Sequence, residues 1–200
     1  MTAQASHRSS HSTSRPTSRR ACLAMLAGCV LLAAGPAVRA RPDMAAPPEL
    51  ATELPGASWR GGGPMRFLGM RVYDARLWAP AAVTGDGASQ PLALELIYAR
   101  NVKADLIVSS SLREMQRVAP ISAEQSARWT QAMAPLFPNV KPGDRITGIQ
   151  RPDQSTRIFF NGMLRGEVAD AEFTRLFFGI WLSPRTSDPQ LRQKLLGGGS

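Results

Sequence analysis

The sequence predicts an α+β domain in which a mostly antiparallel sheet carries helices layered on one face. Three observations predict it. Alternating apolar segments come first, then two helical segments, then more strands and more helices. Asn161-Gly162 is a tight hairpin signal between two short strand-like runs. Phe173, Leu176, Phe177, Ile180 and Trp181 recur at helical spacing, which suits a helix lying on a sheet.

The elements follow in order. Met1 to Ala40 holds five arginines and no acid, then an apolar run from Ala21 to Ala34, then Pro36 and the small-residue ending Val38-Arg39-Ala40. Basic, apolar, small is the order of a removable secretory signal, and the run is short for a membrane span of ~20 residues. Ser18-Arg19-Arg20-Ala21-Cys22-Leu23 resembles a twin-arginine export motif, and Leu26-Ala27-Gly28-Cys29 resembles a lipoprotein processing box. The first makes a protein released into the periplasm; the second would hold it on the membrane through a lipid on Cys29. Both Cys22 and Cys29 also read simply as small residues of the signal core.

Arg41 to Pro55 is rich in Pro and Ala, has little periodicity, and reads as a flexible leader. Gly61-Gly62-Gly63-Pro64 reads as a flexible turn, since it lacks the Gly-Lys-Ser/Thr that a phosphate loop requires. Met65 to Trp78 is one long bent strand or two short ones. Leu92, Leu94, Leu96 and Tyr98 alternate with smaller or polar residues, a strand with one strongly apolar face; Glu95, between them, is expected to point to solvent. Lys103 to Val118 has helical spacing. Ser122 and Gln125 form a capping-box signature for a helix running towards Phe137. Strands follow at Asp144 to Gln150, Thr156 to Phe160 and Met163 to Val168. Asp170 caps a helix to Leu182, and a last helix starts near Asp188-Pro189 and stops at Gly197.

Composition narrows the chemistry. The chain is formally +9, but the signal carries five of those charges, so residues 41–200 are +4. Basic and acidic residues are interspersed, and no nucleic-acid partner is expected. His7, His11, Cys22 and Cys29 all lie before residue 41. The remaining chain therefore has no disulfide, no thiol or Ser-His-Asp catalysis, no zinc site of the usual ligands and no haem histidine. No metal and no cofactor are expected.

Three stretches carry a family resemblance. They are Arg66-Phe67-Leu68-Gly69-Met70-Arg71-Val72-Tyr73-Asp74-Ala75-Arg76-Leu77-Trp78, Leu136-Phe137-Pro138-Asn139-Val140-Lys141-Pro142-Gly143-Asp144, and Phe160-Asn161-Gly162 followed by Phe178-Gly179-Ile180-Trp181-Leu182. Together they resemble the bacterial chalcone-isomerase-like domain over roughly residues 56–197. The resemblance implies an open-faced sandwich with a ligand cleft between a large antiparallel sheet and its helices. Plant enzymes of the family close a chalcone into a flavanone, with an Arg near the start of the long strand stabilising enolate charge. Two residues are candidates for that Arg: Arg60 in Gly56-Ala57-Ser58-Trp59-Arg60, and Arg66 after the triple glycine. The enzyme's Thr, Tyr, Asn and second Thr fall on Leu68 and Gln125 and near Ala132 and Ile180, so its hydrogen-bonding set is not retained.

The resemblance therefore implies a cleft with one cation and apolar walls, as in relatives of this fold that hold fatty acids on an Arg. Its candidate residues are Arg66 or Arg60, with Leu68, Tyr73, Tyr98 and Trp181. The expected partner is a small amphipathic or aromatic carboxylate, bound without catalysis. Two other readings stand beside it: an isomerase, or intramolecular lyase, using the same Arg, and an envelope interaction module whose sheet face meets another protein. The tyrosines and Trp181 read equally as core, and Asp74 as one half of a structural ion pair with an arginine.

Overall fold

The computed structural model describes residues 45–197. The segment read from sequence as an export signal, residues 1–40 with Cys29, lies outside the described residues. Six strands form one sheet in the order β1-β2-β3-β4-β5-β6, every neighbouring pair antiparallel. They are β1 (Ser58–Phe67), β2 (Met70–Ala79), β3 (Leu92–Tyr98), β4 (Arg145–Gln150), β5 (Thr156–Phe160) and β6 (Met163–Val168). The helices are α1 (Leu50–Glu53), α2 (Ala104–Val118), α3 (Ala123–Met133), α4 (Ala171–Leu182) and α5 (Pro189–Leu195). The α+β open-faced architecture is the one the element order predicts.

Register assigns the two faces. Leu77, Leu94, Gly148 and Ile158 lie side by side across four strands and face the helices. The buried stripe of α4, Phe173 to Trp181, packs there with Met115 of α2 and with Trp129 and Met133 of α3. Burying such side chains contributes roughly 1.5–3 kcal/mol each. Local signals set the helix ends. Ser122 and Gln125 complete their reciprocal capping box. Asp170 Oδ1 accepts from Phe173 N at 2.9 Å and its Oδ2 from Trp129 Nε1 at 2.9 Å, which ties α3 to the start of α4.

Three local expectations are corrected. First, the leader is not loose where it is described: α1 lies on the opposite face of the sheet, where Leu50 and Leu54 pack on Trp78, Ala93, Ile149 and Phe159. A four-residue helix is too short to leave a periodic signature, but its two leucines find an apolar strip on the sheet. Secondly, Gly61 to Gly63 are part of β1 and not a turn. A Cβ on Gly61 would stand 2.0 Å from the Lys194 carbonyl oxygen, so glycine is needed where α5 crosses the edge strand. Thirdly, Glu95 does not reach solvent; it is 2 % exposed, beneath α1.

That buried carboxylate is fully engaged. Trp78 Nε1 donates to Glu95 Oε2 at 3.1 Å, Arg145 Nη1 lies 3.4 Å from Oε1, and Arg76 Nη1 lies 3.8 Å from Oε2. Arg145 also reaches Glu49 Oε2 at 3.1 Å, and Glu53 receives Arg151 and Arg157, both at 2.9 Å. The back face is thus closed by α1 and a lattice of ion pairs. Any enclosed site must lie on the other face.

Candidate functional site

A cavity of about 720 Å³ opens between the front of the sheet and helices α2, α4 and α5. Its floor is made by alternate residues of the central strands, including Leu94, Leu96, Tyr98 and Ile146. Its roof is Ile107 of α2 with Phe177, Ile180 and Trp181 of α4. Gly148 keeps the floor low, since a Cβ there would already touch Phe177 at 3.4 Å. The volume lies in the ordinary range for small-molecule sites, roughly 300–1,000 Å³.

Polar groups stand at two levels. At the inner level the Tyr73 hydroxyl accepts from Trp181 Nε1 at 3.0 Å. Tyr73 and Tyr98 meet edge to face with ring centroids 5.7 Å apart. Burial pushes both hydroxyls well above the usual tyrosine range; the Trp181 hydrogen bond opposes this at Tyr73, and Tyr73 itself adds to the rise at Tyr98. Both phenols are therefore protonated at neutral pH and are available as hydrogen-bond donors, not as bases. The Tyr98 hydroxyl has no hydrogen-bond partner among the described residues.

The outer level is cationic. Arg66, Arg100, Arg113 and Arg117 line the opening, against Glu114 and Asp188. Arg117 Nε is 3.3 Å from Glu114 Oε2. Among the described residues the other three arginines have only weak or neutral partners. Arg66 Nη1 donates to the Gly69 carbonyl at 3.2 Å, Arg100 Nη1 to Met70 Sδ at 3.3 Å, and Arg113 Nη2 to Ser110 Oγ at 2.8 Å. A cation left with a thioether or a hydroxyl as neighbour retains most of its capacity for an anion.

The structure divides the residues singled out from sequence. Arg66, Tyr73, Tyr98 and Trp181 all line the cavity. Arg60 does not; its guanidinium donates twice to the Ala79 carbonyl, from Nε at 2.9 Å and Nη2 at 2.7 Å, and holds the outer end of β2. Leu68 is also away from the cavity wall. It sits at the tip of the β1–β2 hairpin, 82 % exposed with φ 49°. Of the other positions matched to the plant enzymes, Ile180 lines the cavity, while Gln125 is spent on its capping box and on Glu172. Asp74 pairs with Arg71, as a structural ion pair should.

Sequence reading missed Arg100, Arg113 and Arg117, though each left a signal. Leu94, Leu96, Tyr98 and Arg100 are successive residues of one strand parity, so Arg100 continues the apolar face as a cation. Leu106, Ser110, Arg113 and Arg117 are spaced by four, three and four, one stripe of α2. Among the described residues no cluster of three His, Cys, Asp or Glu could hold a metal ion.

Comparison with known proteins agrees with this geometry. A family model described as chalcone isomerase-like matches residues 56–197. An uncharacterized protein of Haemophilus influenzae is 24 % identical over 145 residues, which is 72 % of this chain and 70 % of that one. Among solved structures, the fold is similar to that of an Arabidopsis thaliana fatty-acid binding protein, with a TM-score of 0.58 and 12 % identity over 71 % of this chain and 87 % of the other.

Proposed function

The chain belongs to the chalcone isomerase-like family, and from that premise we propose that it is an exported, non-catalytic carrier of an amphipathic carboxylate such as a fatty acid. One observation carries the reading: an apolar cavity of about 720 Å³ has at its mouth three arginines without carboxylate partners among the described residues. A long-chain acid fits that polarity, with its tail between Leu96, Ile107 and Phe177 and its carboxylate between Arg66 and Arg100. The fatty-acid binding protein with a similar fold supports the ligand class. The aromatic walls also suit an aromatic acid, with the Tyr73 and Tyr98 hydroxyls as donors for its inner end.

Export rests on the order of basic, apolar and small residues over 1–40, and release into the periplasm is the expected fate of a chain cut after Ala40. Intact mass of the processed protein tests this; a start at Cys29 with added lipid mass would overturn it. Ligand binding is tested by native mass spectrometry of residues 41–200 purified without detergent. We expect a stoichiometric acid that is lost in the Arg66→Ala/Arg100→Ala double variant and kept in Arg60→Ala. Turnover of a chalcone, abolished by Arg66→Ala, would establish the isomerase instead.

A further inference from the structure

The β1–β2 hairpin turns through two left-handed residues, Leu68 at φ 49° and Gly69 at φ 77°. The β5–β6 hairpin does the same with Asn161 at φ 48° and Gly162 at φ 86°. Asparagine suits that geometry, and Asn161 also uses its side chain: Oδ1 accepts from Arg145 N at 2.8 Å and Nδ2 donates to Asp144 Oδ1 at 3.1 Å. Leu68 makes no such bonds. A bulky apolar residue occupies a strained position and points 82 % of its surface at solvent.

Its neighbours share the exposure. Phe67 is 60 % exposed and Met70 47 %, so three of the four residues at the tip are large, apolar and uncovered. Leu106, 52 % exposed, lines the same cavity mouth from α2. Cations flank this apolar tip. Arg66 and Arg71 face each other across the hairpin, and Arg100 reaches Met70. Of the nearby acids, Asp74 pairs with Arg71 and Glu114 with Arg117, Asp188 caps α5 by accepting from Leu191 N at 2.9 Å, and Asp105 accepts from the Leu106 backbone N–H at 2.8 Å.

We propose that this end of the domain seats on an anionic phospholipid bilayer. Phe67, Leu68 and Met70 enter the headgroup and upper acyl region, while Arg66 and Arg100 lie at the level of the phosphates. Apolar side chains with a cationic surround are the chemistry of interfacial attachment, and the anionic surface supplies the complementary charge. Because Arg66 and Phe67 also line the cavity, attachment turns the mouth towards the lipid and lets an amphipathic acid pass without crossing water. The surface deepens the carrier reading by naming the ligand's source, yet attachment itself needs no ligand.

The test is flotation of residues 41–200, stripped of ligand, with vesicles of phosphatidylcholine and phosphatidylglycerol. The described elements, with one six-stranded sheet and its packed helices, all lie within this stretch. Binding is expected to anionic vesicles and not to pure phosphatidylcholine, and to fall as salt rises. Leu68→Asn is expected to weaken it about tenfold while keeping or raising the melting temperature. Three results would overturn the proposal: no flotation with anionic vesicles, flotation unaltered by Leu68→Asn, or a concentration-dependent dimer that Leu68→Asn abolishes, which would assign the tip to a second copy. Fatty-acid binding measured in solution separates the two claims, since it can succeed where flotation fails.

Discussion

The two faces of the sheet treat charge in opposite ways. On the back, Glu95 is buried with Trp78, Arg145 and Arg76 around it, and α1 and the residue before it bring Glu53 and Glu49 to Arg145 of β4, Arg151 just after it and Arg157 of β5. On the front, the helices stand off enough to leave a cavity, and Arg66, Arg100 and Arg113 at its mouth have no carboxylate partner among the described residues. The same strands supply both faces. Paired ions close one side and lock it; unpaired ions beside a void leave the other able to accept a guest. The difference teaches where stability and function are separately held.

The comparison can be broken most severely from the back. Glu95→Ala would strand a buried indole N–H and leave Arg145 and Arg76 without their shared anion. We expect a loss of about 3 kcal/mol in urea unfolding, with ligand affinity of the folded protein unchanged. An affinity that fell with the stability would mean that the faces are coupled. On the front, Leu96→Trp fills the cavity floor. Ligand binding should fall by at least about tenfold, while stability moves by less than about 1.5 kcal/mol, because there is space for the added ring.

Acid provides a subtler probe. Asp144 sits below the usual carboxylate range, chiefly through its Lys141 hydrogen bond and helped by Asn161. A carboxyl depressed in the folded state adds stability above its ordinary pKa, and that stability is lost as pH falls through the folded value. Unfolding followed from pH 6 to pH 2 should therefore show a smaller acid loss in Asp144→Asn than in the parent. The smallest effect is expected at Leu68→Asn, which should stabilise the domain by about 0.5 kcal/mol by relieving the left-handed leucine.

Much of the front was legible in sequence because it obeys simple periods. The alternation from Leu92 to Tyr98, the stripe of α4, the Ser122 capping box and the Asn161-Gly162 turn all appear where the pattern puts them. Tyr98 and Trp181 lie in those periods, Tyr73 comes from the family resemblance alone, and all three reach the cavity. The back was illegible for a physical reason. Glu95 has the parity of a solvent-facing residue, and only α1, a helix too short to announce itself, converts that face into an interior. The triple glycine misled likewise, since its purpose is the approach of α5, an element more than a hundred residues away. Arg60 and Arg66 stood as alternatives in sequence, because both follow a glycine-containing stretch and the bond from Arg60 to the Ala79 carbonyl depends on pairing with β2, which leaves no local signal.

The most direct measurement is competition for a fluorescent fatty acid bound to residues 41–200, using hexadecanoic acid and hexadecanol as rivals. The two share a chain and differ in the group offered to the arginines. The acid should compete at least about tenfold better than the alcohol, an advantage that Arg66→Ala/Arg100→Ala removes. Equal competition by acid and alcohol, or no binding of either, would contradict a carrier whose arginines hold a carboxylate at the mouth of the cavity.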